Sequence, residues 1–388
     1  MKILHLCLAS FYIDGFSYQE NLLPRFHKAL GHQVEILASL DSFDSSGYKI
    51  VEKKRPPYFN EDGIKVTRLE YKREKVDKKL KRFEGVYEQL VSAKPDLIFM
   101  HGCQFLDIFE VARYLKKKSD VELYVDNHAD FSNSARSFLS RNVLHRLIWR
   151  LCARSILPYA NKFFGVLPAR VDFLKDVYKI PDEKVDLLLM GADDDCVNQW
   201  SPESKRAQAR RELHIAPDEF VVVTGGKIDS EKKQVLALMK AIGDLKDRNI
   251  RLVVFGSVVD ELKEEFESLC QEASKVEYVG WISSSETYQY FAMSDLVVFP
   301  GRHSVLWEQV VAQGIPLVVK YWKGTTHVDI GGNVVFLETG NLSEIKEVVS
   351  KCVDDKEYYF SLKASAQSAM REEFLYSKIA LKSIGCES

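Results

Sequence analysis

The chain has 388 residues, 46% apolar and 28% charged, with a formal net charge of −2. That length allows about two domains with a substantial core each, and the balanced charge excludes a disordered or nucleic-acid-coating chain, so no nucleic acid is expected as a partner. The seven cysteines are scattered, odd in number and never spaced C-x-x-C, which argues against a disulfide framework or zinc knuckle and for a reducing cytoplasm.

The opening run "MKILHLCLAS" is short, lacks a small-residue cleavage site and reads as a first strand rather than a leader. No stretch approaches the ~18 apolar residues of a membrane span, so membrane contact is expected to be peripheral. After "KILHLCL" comes the helical pattern "NLLPRFHKALG", closed at Gly31, and then "QVEILAS", "PDLIFMH", "ELYVDNH" and "KFFGVL". Strands alternating with helices at this spacing predict βαβ units and a parallel sheet. Pro181 and a charged cluster break the rhythm, which restarts near Lys184 as "KVDLLLMG", "FVVVTGG", "IRLVVFG", "VEYVGW", "DLVVFPG" and "IPLVVK". The prediction is an α/β chain of two doubly wound sheets, over 1–180 and 181–365, with a helix in 366–388 returning to the first domain. In such sheets ligands lie beyond the carboxyl ends of the strands.

Two loops of the second half stand out. In "VVVTGGKIDSEKKQVLALMKAI" Gly225 and Gly226 allow close backbone approach, while Lys227, Lys232 and Lys233 near a helix start would neutralise a diphosphate. A tight turn followed by solvated lysines fits the same residues. In "FPGRHSVLWEQVVAQGIPLVVK" His303, Ser304 and Val305 precede a helix whose first amides favour an anion, and Glu308 and Gln309 lie a turn further in, near enough for sugar hydroxyls. The plainer alternative makes Glu308 a surface residue and Trp307 core.

The order of "GGKIDSEKK", "GS" at 256–257 and "YVGWISSSETYQYFAMSDLVVFPGRHSVLWEQVVAQGIPLVV" resembles the donor half of the retaining glycosyltransferases of family 4. "LLLMGAD" resembles the Asn-Gly-Val-Asp turn heading that half, and "LASFYIDGFSYQENLLPRFHKALGHQV", with Gly15, Ser17 and Tyr18, the first loop and helix of the acceptor half. The resemblance implies a GT-B fold, two Rossmann-like domains facing across a cleft. It implies that Lys227, where the family usually has Arg, and Lys232 hold the donor diphosphate beside Gly226. It further implies that Gly280, Trp281 and Ile282 line the nucleobase pocket, that the amides of Ser304 and Val305 meet the phosphates, and that His128 in "VDNHAD" lies near the donor sugar. Read alone, His128 is equally an ordinary loop histidine.

One departure concerns the family's two glutamates, eight positions apart. Counting back from "QGIP" puts Gln309 at the second and Gly301 at the first, with Glu308 off by about 100° of helix rotation. A neutral amide at 309 still bonds a diol. Asp193, Asp194 and Asp195 imitate a metal-holding Asp-x-Asp, but they sit at the Asn-Gly-Val-Asp turn and read better as a solvated turn.

From Phe131 to Val171 there is no acidic residue, while Arg146, Arg150 and Arg154 share one helical stripe and Leu139, Val143, Leu147 and Leu151 another. This basic amphipathic helix, 136–154, and the basic segment 72–82 fit either anionic lipid or ordinary solvated faces. The resulting expectation is a metal- and cofactor-independent hexosyltransferase. It would move sugar from a nucleotide-diphosphate sugar, UDP favoured, to a lipid-linked or saccharide acceptor in cell-surface polysaccharide synthesis, in the cytoplasm or on the inner face of the membrane. A nucleotide-sugar epimerase, a phosphorylase and a non-catalytic sugar-nucleotide binder are the alternatives. An NAD-dependent oxidoreductase would need G-x-G-x-x-G, which neither glycine loop supplies.

Overall fold

The computed structural model describes all residues except 44–48, 54, 74–77, 369–370 and 387–388, so part of the basic segment 72–82 lies outside the described residues. Residues Met1–Met190 and Tyr376–Ser388 form one unit and Gly191–Leu375 the other.

The first unit holds β1 (Lys2–Cys7), β2 (Gln33–Ser39), β3 (Asp41–Phe43), β4 (Lys49–Val51), β5 (Tyr58–Phe59), β6 (Lys65–Leu69), β7 (Leu97–His101), β8 (Glu122–Asn127), β9 (Lys162–Gly165) and β10 (Val185–Leu187). Eight of them form a sheet in the order β10-β9-β8-β7-β1-β2-β6-β5, parallel but for β5, while β3 and β4 pair separately. Its central strands are buried on both faces, which is why they read as unbroken apolar runs. Successive residues alternate between two cores. Leu97 and Phe99 join Ile3, Ile36, Leu23 and Ile379, whereas Ile98 and Met100 join Leu4, Leu37, Leu90 and Ile156. The chain winds outward from β1 through β2 and then resumes on the other side at β7, so strand order reverses between β1 and β7.

The run after Pro181 corrects the expected pattern. Instead of opening the second sheet, it makes a 3-10 turn at Asp182–Lys184 and returns to the first as β10, with Val185 opposite Phe163. A run as short as Val-Asp-Leu reads equally well as an edge strand of either sheet. The helix Tyr376–Ser383 lies in the first unit, its Tyr376 stacked on Phe26 of the helix Gln19–Ala29 at 6.0 Å between rings.

The second unit holds β11 (Phe220–Gly225), β12 (Ile250–Phe255), β13 (Val276–Gly280), β14 (Leu296–Phe299), β15 (Leu317–Lys320) and β16 (Val334–Leu337), all parallel, in the order β13-β12-β11-β14-β15-β16. Val222, Leu252 and Val298 pack under Met239, Phe266 and Val349 of the covering helices. Strand order reverses between β11 and β14, so the loops after these two strands, 226–233 and 300–305, are where a ligand crevice is expected.

The helix expected over 136–154 winds differently from the prediction. Ser140–Trp149 is a π-helix, continuing as an α-helix over Arg150–Ile156. Its bonds close to i+5, and His145 and Trp149, four residues apart and both buried, lie on the inner face. His145 Nδ1 lies 2.9 Å from the Tyr178 hydroxyl, fixing that face to the unit's core.

Candidate functional site

Three neighbouring strands of the second sheet end in glycines with left-handed backbone: Gly226 (φ 101°) just after β11, Gly256 (φ 110°) just after β12 and Gly280 (φ 79°) closing β13. The requirement at Gly256 is steric as well as torsional, because a Cβ there would come 2.0 Å from the Gly226 carbonyl oxygen. Backbone bonds knit the three ends together: Gly226 N–H donates to Phe255 O (3.1 Å) and Gly256 N–H to Gly280 O (2.7 Å). A Cβ on Gly226 would meet Leu306 Cδ1 at 3.4 Å and Lys232 Nζ at 3.7 Å, so a lysine amine stands directly over this bare backbone. Burial pushes the Lys232 pKa down, Asp229 opposes and Arg302 adds to the fall. Lys227 is exposed, and the helix starts at Gln234, just beyond both lysines.

The second loop closes onto the first. A Cβ on Gly301 would lie 2.9 Å from Lys232 Cα, so this position, where the resemblance implies a glutamate, has no room for a side chain without a backbone shift. Ser304 and Val305 are half-buried and precede the helix Leu306–Ala312, their carbonyls accepting from Trp307 N–H (3.0 Å) and Gln309 N–H (3.3 Å).

Glu308 is fully buried, not a surface residue, and its Oε1 accepts from His303 Nε2 and His327 Nε2, each at 2.8 Å. Burial disfavours its charge, but the two imidazoles, His303 first, outweigh burial and hold the carboxyl down at about 2. His327 was missed in the sequence because it arrives from a 3-10 turn after β15, with nothing in "TTHVDI" to tie it to Glu308. Gln309 is buried with its amide oxygen unpartnered, and Trp307 is core.

The ligand-type atoms of His303, Glu308 and His327 lie within 4.8 Å of one another, the spacing a metal could use. Both imidazole nitrogens, however, sit at hydrogen-bond distance from the same carboxylate oxygen. In this arrangement the carboxylate orients both histidines, and a zinc ion with bonds of about 2.0–2.1 Å would take the place of both hydrogen bonds. Of Asp193–Asp195 only Asp195 is exposed: Asp193 is buried and its Oδ1 caps the helix Asp194–Trp200 by accepting from Asp195 N–H at 3.1 Å. At the edge of the sheet Trp281, following Gly280, is 73% exposed, while Ile282 is half-buried.

In the first unit Gly15 takes a left-handed turn (φ 75°) and donates to Glu61 Oε1 (2.9 Å), Ser17 is half-buried, and Tyr18 precedes the helix Gln19–Ala29. The adjacent Gln19 amide donates to Asp126 Oδ2 (3.0 Å), and His128 Nε2 lies 3.4 Å from Asp126 Oδ1. Burial works against a charged His128, and Asp126 outweighs it, so the His128 pKa is raised. Asp126, at the end of β8, is fully buried and was overlooked beside the more conspicuous histidine.

The outer face of the helix over 140–156 is bare. Phe138, Leu139, Val143, Leu147 and Leu151 are all exposed, Phe138 at 81%, beside Arg146 and Arg154, also exposed. Arg150 instead turns inward to donate to Val177 O at 2.6 Å.

Comparison with known proteins fits this architecture. Residues 219–355 match the family described as Glycosyl transferases group 1. No curated protein sequence matches the chain. Among solved structures, a sucrose-phosphate synthase from Thermosynechococcus elongatus is similar with a TM-score of 0.68 at 16% identity, over 98% of this chain and 96% of that one. Alr3699/HepE from Anabaena, in complex with UDP, gives 0.68 at 17% over 98% of each chain. The UDP-GlcNAc 2-epimerase from Neisseria meningitidis, bound to UDP-GlcNAc, gives 0.61 at 12% over 99% of each. The chain thus has the GT-B fold of two parallel-sheet units, with a glycosyl transferases group 1 domain over residues 219–355 of the second.

Proposed function

We propose that the protein is a retaining, metal-independent hexosyltransferase. It takes a sugar from a nucleotide-diphosphate sugar, UDP favoured, and passes it to a hydroxyl of a lipid-linked or oligosaccharide acceptor in cell-surface polysaccharide synthesis. The observation that carries this reading is the bare backbone of Gly226 and Gly256 with the Lys232 amine above it, at the strand-order reversal of the second sheet. Backbone without side chains lets a diphosphate approach, and a cation fixed at that point stabilises charge that grows as the donor bond breaks. Anabaena HepE with UDP and the epimerase with UDP-GlcNAc support a uridine donor.

In the proposed step the bond from the anomeric carbon to the β-phosphate oxygen breaks while the acceptor oxygen bonds to that carbon on the same face. The acceptor's proton passes to a phosphate oxygen of the leaving nucleotide. Lys232 and Lys227 stabilise the leaving diphosphate, with the backbone at Ser304 and Val305. His303, oriented by Glu308, lies in the same loop. Gln309, with its unpartnered amide oxygen, is the proposed ribose contact, a role left open because Glu308 is occupied by its histidines. Gly280, Trp281 and Ile282 border the base, and His128 contacts the sugar. Gly15, Ser17 and Tyr18 form the first loop on the acceptor side.

The exposed apolar stripe from Phe138 to Leu151, beside Arg146 and Arg154, supports peripheral binding to an anionic membrane from the cytoplasmic side, where a lipid-linked acceptor resides. Thermal-shift measurements with UDP-, GDP- and ADP-sugars test the donor, since a ligand selective for the native state raises apparent stability. Product analysis then separates the readings. A glycosylated acceptor supports transfer, an epimerised nucleotide sugar without one supports an epimerase, and no stabilisation by any nucleotide sugar would sink both.

A further inference from the structure

A row of buried side chains crosses the first unit. Asp126 Oδ2 lies 2.9 Å from His101 Nδ1, His101 Nε2 3.0 Å from His5 Nδ1, and His5 Nε2 3.0 Å from His27 Nδ1. The row ends at the helix Tyr376–Ser383, where His27 Nε2 lies 2.8 Å from Ser383 Oγ and 3.1 Å from Ala380 O. All three imidazoles and the carboxylate are fully buried.

Hydrogen-bond polarity can be followed along this row from its C-terminal end. Ser383 Oγ can donate to Ala380 O at 2.8 Å or rotate towards His27, whereas the Ala380 carbonyl, 3.1 Å from His27 Nε2, can only accept. His27 therefore carries its proton on Nε2, and its Nδ1 accepts from His5 Nε2–H. His5 Nδ1 is then left to accept from His101 Nε2–H. A neutral His101 would present a bare lone pair from Nδ1 to a carboxylate that already accepts from Gln19. The His101–Asp126 bond consequently holds one proton more than three neutral imidazoles and one carboxylate supply. With His27 released from Ala380, the whole row can reverse and satisfy itself without that proton.

We infer that seating the helix Tyr376–Ser383 on His27 is linked to uptake of one proton at the His101–Asp126 bond, and that the row thereby sets how strongly Asp126 holds His128. The proton on His101 neutralises part of the charge that Asp126 offers His128, so His5, His27 and His101 are positioning residues for His128. Burial keeps His5 well below the ordinary imidazole range, aided by its two histidine neighbours, and brings His27 to about 3 against the opposing Ala380 carbonyl, consistent with both being neutral. Asp126 lies below the ordinary carboxylate range because His128 and His101 outweigh its burial. The other ionisable groups around the row are Cys7 and Cys103 facing Asp126, Glu20 and Arg170 facing His128, and His32 facing His27.

Side-chain nitrogen-15 spectra of the full-length protein near about pH 7, where free imidazoles titrate, test the inference directly. His5 and His27 should appear as neutral Nε2–H tautomers and His101 as protonated on both nitrogens. A neutral His101, or a His27 protonated on Nδ1, would overturn it. In His27→Phe the demand for a fixed polarity is gone, so His101 should lose its second proton and the His128 titration midpoint should rise by roughly one pH unit. An unmoved midpoint in a folded variant also overturns the coupling. Should that variant not fold, the wild-type tautomers decide alone. Ser383→Ala keeps the Ala380 acceptor and should leave the tautomers unchanged. Only the effect on catalysis rests on the proposed sugar contact of His128. A shifted midpoint with an unshifted pH profile of transfer supports the row and counts against His128 as a reacting-site residue.

Discussion

Lys232 and Lys227 come from one loop but differ in surroundings, and the difference sets what each removal should do. Lys232 stands over Gly226 with its charge already disfavoured by burial, whereas Lys227 is exposed. Lys232→Ala is expected to lower kcat/KM for transfer roughly 100-fold, the scale of losing one preorganised stabilising group; Lys227→Ala should lower it about tenfold or less. Steady-state kinetics with a UDP-sugar decide, and full activity in Lys232→Ala would remove that amine from the mechanism. Gly301→Ala places a Cβ 2.9 Å from Lys232 Cα, backbone that cannot swing aside. The expected destabilisation is about 1–3 kcal/mol, seen as a lower Tm, with a matching loss of turnover as Lys232 is pushed from its place. Glu308 predicts a pH effect. Its carboxyl is held at about 2 in the folded state, against about 4.3 when unfolded. The stabilisation is therefore complete above the unfolded value and lost as pH falls from about 4.3 towards 2, amounting to roughly 3 kcal/mol. Chemical denaturation across that window should show a steeper loss for wild type than for Glu308→Gln. The lysines and glycines of this site were legible because local spacing places them. The role of Glu308 was not, since His327 reaches it from beyond the next strand.

Among the elements, the helix over 140–156 shows most plainly what periodicity reveals and omits. Leu139, Val143, Leu147 and Leu151 were readable as one stripe, but a stripe alone does not say whether it faces the core or water. Here it faces out, because His145 and Trp149 occupy the inner face and Arg150 is tied to Val177. The π winding left no mark in the sequence. The stripe should bind vesicles containing anionic lipid, more weakly as salt screens the arginines. Phe138→Ser combined with Leu147→Ser should weaken flotation with such vesicles by at least about tenfold, given ~25 cal/mol for each Å² of apolar surface no longer buried. Transfer to a soluble acceptor should be unchanged. Equal vesicle binding by wild type and double variant would assign this face some other partner.

At the scale of the molecule, the two parallel sheets were legible from strand and helix rhythm, and the strand-order reversals follow from winding both sheets in the same sense. The short edge strand β10 was not legible, because a three-residue run, Val-Asp-Leu, carries no address. Nor was the histidine row, whose members come from β1, β7, β8 and the helix Gln19–Ala29 and meet only through sheet register, with His101 directly opposite Asp126. If the charge stabilisation comes from lysines and backbone alone, activity should survive exhaustive chelation and be unchanged on adding back divalent cations; dependence on added metal would return the histidine–glutamate cluster to consideration as a metal centre.

The distribution of thiols has a practical consequence. Among the described residues Cys386 alone of the cysteines is exposed, and it lies three positions beyond Ser383. A thiol-directed fluorophore should therefore modify native protein mainly at that point, giving an optical reporter on the C-terminal helix without any engineered mutation. Its anisotropy, followed during a pH jump, would show in real time whether the last turn of the chain loosens as the protein loses protons.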